Sequence, residues 1–405
     1  LAWLLWETAH CFRTGASGVL CLLRPIALLT MWVAPAASYI LTDTAWYTGY
    51  RLWTPAEAYF RLAAPGTAAL LWGLRAAEWL PARHPARMPK APRAFFWFLV
   101  SGGLSAQALL PFMEGYLRYP AYLCSLLLWP ALMLGMQRWP LRRWILVLGG
   151  GIWALLLAIQ SAFFGSGLLG TLALWLRART GAGPTWRDGA VLGGFALLIL
   201  FLISFKYDYR EQKAAHPDAT GLFFRMARDK LRHPANIFHP EVLSRALSRL
   251  NQGFHTAQAL AYVPSKTPFV CGETLVNDLW GALVPRCVFP NKPRADGLDK
   301  LRRFAGQAHY RICANIGVYG EAYVNFGAAG GWLVLGMYGL LLGTLWALSR
   351  QYLGAYWGPY LFLPAVHVES DLGIVLNHIS KSALVAIVIT LFWHGLTDLR
   401  RRTHL

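Results

Sequence analysis

The chain has 405 residues, of which 56% are hydrophobic and only 14% charged, against about 25% charged in a typical soluble domain. Its apolar runs of about 18 to 22 residues are continuous, not alternating, which excludes a soluble globule and a β-barrel and points to an all-α polytopic membrane protein. The formal net charge of +19 exceeds what basic loops resting on anionic lipid explain.

In chain order, the hydropathy pattern predicts spans near 1–12, 16–37, 56–75, 94–114, 119–136, 144–163, 166–177, 189–205, 328–348, 357–377 and 379–397, ten or eleven in all. The chain opens inside an apolar pattern without Met, so residues preceding it are expected, and no cleavable signal peptide is read. Gly165-Ser166-Gly167 is the expected break in the stretch 144–177, which reads as a hairpin or as a kinked helix. The segments 81–93, 137–143, 177–187 and 399–402 are basic, and Arg350 joins them by span count. The positive-inside habit makes that side cytoplasmic and puts the large polar segment on the other. The organisation read from this is 1–205, N-terminal transmembrane helices; 206–327, a large periplasmic loop; and 328–405, C-terminal transmembrane helices.

Residues 206–312 are a polar island with 17 Lys and Arg against 9 Asp and Glu. An outward-facing basic island departs from the topological habit and calls for an anionic partner. Nucleic acid is a poor partner across a membrane; a lipid phosphate or pyrophosphate fits better. Within the island, 218–234 is an amphipathic helix with Asp218 or Thr220 as N-cap. Its stripe of Leu222, Phe223, Met226 and Leu231 is suited to the bilayer surface. Residues 240–264 read as one helix opening on Pro240 and Glu241. Leu243, Leu247, Leu250 and Phe254 line one face, and Arg245, Arg249 and Gln252 another. Glu273 opens a short helix that ends before Pro285.

The densest cluster of candidate residues is Arg286, Lys292 and Arg294 in a loop whose prolines fix φ at several positions. A stiff loop with three cations suits an anion clamp, because little entropy is lost on binding; the bland alternative is a basic turn against lipid headgroups. Glu321, Tyr323 and Asn325 precede a span. Glu321 and Asn325 share a helix face and could orient a sugar hydroxyl, with Glu321 as general base, or form an ordinary salt-bridged helix start. Arg210, in the segment Lys206-Tyr207-Asp208-Tyr209-Arg210, reads as a phosphate ligand or an interfacial anchor. Arg249 and Gln252 can face one ligand, with His255 about a quarter-turn away. Glu369 and Asp371, near His367 and His378, are functional candidates if they lie at membrane depth and bland if 367–381 is a turn. No CxxC, P-loop, GxSxG or acidic pair for a divalent metal is present, so neither metal nor nucleotide chemistry is expected. Two of Cys271, Cys287 and Cys313 could pair in an oxidising compartment.

The segments 206–210 (KYDYR), 248–254 (SRLNQGF), 268–275 (PFVCGETL), 283–293 (LVPRCVFPNKP) and 320–330 (GEAYVNFGAAG) together resemble the bacterial O-antigen and exopolysaccharide polymerases of the Wzy type, in the O-antigen polymerase/ligase superfamily. The matching positions are Arg210, Arg249, Gly272, Arg286, Lys292, Glu321, Tyr323, Asn325 and Gly327. Phe289 and Asn291 stand where the family pattern has Trp and Asp. The resemblance implies a GT-C-like glycosyltransferase of the bacterial inner membrane with its active site at the periplasmic face. It implies transfer of a growing glycan from undecaprenyl pyrophosphate to the non-reducing end of a lipid-linked repeat unit, without cofactor or metal. Arg286 and Glu321 would be catalytic; Arg210, Arg249, Arg286, Lys292 and Arg294 would bind pyrophosphate; Gln252, His255, Glu273, Tyr323 and Asn325 would bind substrate. The implied partners are the undecaprenyl-pyrophosphate-linked oligosaccharide, membrane lipids, a chain-length regulator and a flippase. A ligase acting on lipid A core or protein shares the donor chemistry, and a lipid-linked oligosaccharide transporter is the rival from another class.

Overall fold

The computed structural model describes all residues except 14–18, 45, 46, 48, 50, 80–92, 162, 163, 180–182, 214, 217, 285–296, 307–314, 404 and 405, and the side chains of 397–403. The described residues form helices and turns with no strand. In chain order the helices are α1 (Ala2–Arg13), α2 (Leu20–Leu41, with a π turn at Leu29–Val33), α3 (Ala56–Trp79), α4 (Arg93–Phe112), α5 (Gly115–Arg138), α6 (Arg143–Ser161), α7 (Gly165–Arg179) and α8 (Trp186–Lys213). The polar island contributes α9 (Ala219–Arg232), α10 (Pro240–Leu250), α11 (Phe254–Tyr262), α12 (Glu273–Leu283) and α13 (Leu298–Ala305). The chain closes with α14 (Gly317–Tyr352), the short α15 (Gly358–Phe362) and α16 (Leu372–Thr403).

Seven segments among the described residues are long and apolar enough to cross a bilayer: Leu20–Leu41, Arg93–Phe112, Gly115–Arg138, Pro140–Ser161, Trp186–Lys213, Gly317–Tyr352 and Leu372–Leu396. The chain is an all-α polytopic membrane protein with fewer full spans than the ten or eleven expected. The expected span 357–377 does not form. Pro359 and Pro364 limit that stretch to the five-residue α15 and a 3-10 turn, and α16 takes over from Leu372. α1 and α7 are short, at 12 and 15 residues. α3 has the length of a span but carries Glu57, Arg61, Arg75 and Glu78.

α3 and α14 pack backbone to backbone along a seam of small residues. A Cβ on Gly73 would lie 2.1 Å from the Gly336 carbonyl oxygen, and one on Gly339 would lie 2.2 Å from that of Leu70. Only glycine permits this approach, the usual device for helix pairing in lipid, where burial of apolar side chains gives no drive. The stretch 144–177 is a hairpin of α6 and α7, with Gly167 set against the Ala154 carbonyl. α6 ends at Ser161 and α7 opens on Gly165, so the expected glycines begin the second helix.

The ends of the bundle differ in chemistry. Gln137, Arg177 and Arg350 line one small cavity, so two of the basic segments meet Arg350 at one end of the helices. α9 to α13 lie at the other end, where Tyr209 at the tail of α8 donates to Ile159 O (2.6 Å) on α6. Asp218 caps α9 through Gly221 N at 2.8 Å. Leu222 and Phe223 of α9 are buried in a cluster with Phe164, Phe205 and Tyr209. That part of the stripe therefore faces protein and not the bilayer surface, while Leu231 stays exposed. α10 buries Val242, Ser244, Ala246 and Ser248 in place of the expected leucines, and Leu250 is exposed.

α14 is bent at Gly327, whose φ of 69° and ψ of −167° are open to glycine alone. The bend removes the helical partners of the Val324 and Asn325 carbonyls. Val270 N and Cys271 N take them at 3.1 Å each. The first ten residues of α14 thereby belong to the polar layer and the rest to the membrane bundle.

Candidate functional site

The polar layer holds two charged centres, which share the turn 367–371. The first is a cationic cleft. Lys206 and Arg210, one turn apart at the end of α8, lie close enough to Arg249 at the end of α10 for their charges to interact. Arg249 Nε donates to the Tyr207 hydroxyl at 3.0 Å, and the Arg245 and Arg249 guanidinium groups each lie 5.6 Å from the Tyr207 ring centroid. Glu369, exposed on the turn, is the carboxylate whose charge reaches Lys206, His255 and His367. Ser166 of α7 lies 3.4 Å from His367 Nε2.

His255 enters this group because 240–264 is not a single helix. The chain breaks at 251–253, where Asn251 Nδ2 donates to Ser38 Oγ at 2.9 Å and Gly253 lies against the Tyr59 hydroxyl, leaving no room for a Cβ. The break re-aims α11 and sets His255 within reach of the charges on Arg249 and Glu369. Burial holds the His255 imidazole below its ordinary range, while its contact with Gln258 Oε1 (3.0 Å) opposes that. At neutral pH it is a neutral ring able to accept a proton. Gln252 lies in the break itself, with its Oε1 buried and without a hydrogen-bond partner.

The second centre is a buried ion cluster that the sequence reading did not assemble. Lys300 Nζ of α13 lies 2.5 Å from Asp278 Oδ2 of α12, 2.6 Å from Glu321 Oε1 of α14 and 3.7 Å from Asp371 Oδ2. Glu321 has no exposed surface. Burial first, then the neighbouring Glu321, pushes the Asp278 carboxyl above the ordinary carboxylate range. Burial also raises Asp371, against the pull of Lys300. Burial alone would lower the Lys300 ammonium, but Glu321, Asp371 and Asp278 raise it above its usual value.

The expected site residues fall into three groups. Arg210, Arg249 and His255 come together, with Gln252 beside them in sequence. Glu321, Asn325, Tyr323 and Glu273 have protein partners instead. Asn325 Oδ1 accepts from Gly272 N (2.9 Å), and its Nδ2 donates to Thr274 Oγ1 (2.7 Å) and Glu321 O (2.8 Å). Tyr323 donates to Val263 O at 3.1 Å, and Glu273 forms a two-pronged pair with Arg303 at 2.6 and 3.0 Å. Arg303 accordingly holds Glu273 below the usual carboxylate range. Arg286, Lys292 and Arg294, with Cys287 and Cys313, lie outside the described residues. Cys271 is a free, exposed thiol. Among the described residues no group of His, Cys, Asp and Glu is arranged to hold a metal ion.

No protein-family model, curated protein or solved structure matches this chain.

Proposed function

We propose that the chain is a metal-independent glycosyltransferase of GT-C-like architecture that takes glycan from a polyprenyl diphosphate at the periplasmic face of the bacterial inner membrane. The acceptor is the non-reducing end of a second lipid-linked repeat unit, which makes the enzyme a polysaccharide polymerase. The observation that supports this best is the meeting of Lys206, Arg210 and Arg249 at the end of a membrane-spanning helix, with a carboxylate and a half-buried histidine beside them. Three cations at the edge of a bilayer suit a lipid whose headgroup carries two phosphates.

The chemistry balances without a cofactor. The acceptor hydroxyl oxygen attacks the anomeric carbon, the bond from that carbon to the diphosphate oxygen breaks, and the electron pair stays on the diphosphate. Cations placed at that oxygen stabilise the charge as it develops. The hydroxyl proton passes to a base. Glu321 is sealed against Lys300 and Leu372 N, so this role moves to Glu369, which is exposed beside His255 and His367.

The test is incubation of purified protein with a synthetic polyprenyl-diphosphate oligosaccharide, the products sized by gel. A ladder of longer lipid-linked glycans is expected, and Arg210→Ala, Arg249→Ala and Arg286→Ala should each abolish it while leaving the protein inserted and folded. Glycan found on lipid A core or on protein makes the enzyme a ligase. Movement of intact substrate across vesicles without chemistry makes it a transporter.

A further inference from the structure

The ion cluster around Lys300 takes no part in the transfer step described above, and its charges do not balance. Each of its three carboxylates accepts one backbone amide as well as facing the ammonium. Gly317 N donates to Asp371 Oδ1 (3.0 Å), Leu372 N to Glu321 Oε2 (3.0 Å) and Gly373 N to Asp278 Oδ2 (2.7 Å). These amides belong to the first turns of α14 and α16, so two long helices aim their N-termini into the cluster. Each N-terminus acts as roughly half a positive charge. With the Lys300 ammonium they supply about two positive charges against three carboxylates. One negative charge remains, in a place where an unmatched buried charge costs several kcal/mol.

Two geometric facts bear on how the excess is met. Asp278 and Glu321 both face the one Lys300 ammonium, at 2.5 and 2.6 Å, which crowds their carboxyl groups together. Asp371 Oδ2, on a side chain only 2% exposed, points into the cluster without a hydrogen-bond partner. Among the described residues, the groups facing the cluster are Asp278 from α12, Lys300 from α13, Glu321 and the more distant Tyr338 phenol from α14, Asn315 before α14, and Asp371 from the turn. Glu369 and His367 lie on the other side of that turn.

We propose that Asp278, Glu321, Asp371 and Lys300 form a proton-binding site, loaded with one exchangeable proton at neutral pH, whose occupancy holds the 367–371 turn in place. The proton exchanges with water through Asp278, the carboxylate with the most exposed side chain at 14%. Loaded, the cluster is balanced and keeps Gly317 N, Leu372 N and Gly373 N bonded. Emptied, it carries an extra buried negative charge that drives the carboxylates apart and frees the turn. The cluster thus makes the placement of Glu369 depend on pH, whatever the cationic cleft binds.

Two measurements on the full chain in lipid nanodiscs test this. Infrared spectroscopy should show a protonated carboxyl band at neutral pH that titrates away at alkaline pH and is removed by Asp278→Asn or Glu321→Gln. Its absence from the wild-type protein at neutral pH overturns the proposal, a readout that needs no variant to fold. Hydrogen exchange of the peptide containing Leu372 and Gly373, corrected for the intrinsic effect of pH, should lose protection about tenfold per pH unit above the midpoint of the band. Asp278→Asn, which keeps the shape without the charge, should stay protected throughout. Protection that ignores the loss of the proton overturns the link to the turn.

Discussion

The cationic cleft and the ion cluster are built from similar residues, sit on either side of one five-residue turn, and have opposite characters. In the cleft, Lys206, Arg210 and Arg249 lie near one another, the charge of Glu369 reaches Lys206, and Arg249 and Glu369 are exposed. In the cluster, one ammonium is surrounded by three carboxylates, and Glu321 and Asp371 are closed to solvent. An open excess of positive charge recruits an anion from outside; a closed excess of negative charge recruits the smallest cation, a proton. The ratio of charges and their access to water, more than residue type, separate the two centres.

The comparison breaks most visibly at Lys300. Lys300→Met leaves three buried carboxylates around an apolar chain and should destabilise the protein by about 3–5 kcal/mol, read as a lower unfolding midpoint in detergent. A small change would mean that the cluster is wetter than its burial implies. In the cleft the effect should appear in binding. Arg249→Ala should weaken retention of a polyprenyl diphosphate by roughly 10- to 100-fold, the loss of one charge-assisted contact of about 1.5–3 kcal/mol, with little change in unfolding. Arg249→Lys should recover part of it.

pH sharpens the contrast next. Asp278 and Asp371 hold protons more tightly folded than unfolded. Above the unfolded carboxylate range the native state therefore binds more protons, and stability falls as pH rises toward the raised native values, by up to about 1.4 kcal/mol per pH unit for the one proton that the cluster holds. The unfolding midpoint should drop between mildly acid and alkaline pH and flatten in Asp278→Asn. The smallest effect is expected outside both centres. Arg303 and Glu273 are each about half exposed, at 46% and 47%, and Arg303→Ala should change stability by less than about 1 kcal/mol. A larger loss would show that this pair anchors the polar layer.

The membrane class was legible from composition, because helices in lipid must be apolar for some twenty residues whatever they pack against. The count of spans was not. Pro359 and Pro364 interrupt an apolar stretch that a hydropathy window reads straight through, and the prolines themselves were the overlooked signal. Arg210 and Arg249, which the fold brings near each other, stood out in the sequence as an Arg closing a span and an Arg on an amphipathic helix. The placement of His255 was not legible, since Asn251-Gln252-Gly253 broke a helix whose leucines kept their spacing. Lys300 was invisible. It lies in Leu298–Ala305, an ordinary amphipathic segment, and its partners Asp278 and Glu321 are 22 and 21 residues away on other helices. Periodicity reports neighbours along one helix and is silent about pairings between helices.

The glycine contact between α3 and α14 has a consequence for how the polar layer is held. With Gly73 against Gly336 and Gly339 against Leu70, no lipid chain fits between the two rods, and neither can slide along the other without steric collision. α14 carries Glu321 at its outer end, and Thr54, two residues before α3, donates to the Ala257 carbonyl of α11 at 2.6 Å. The polar layer is therefore tied to the membrane bundle at one level along these two helices.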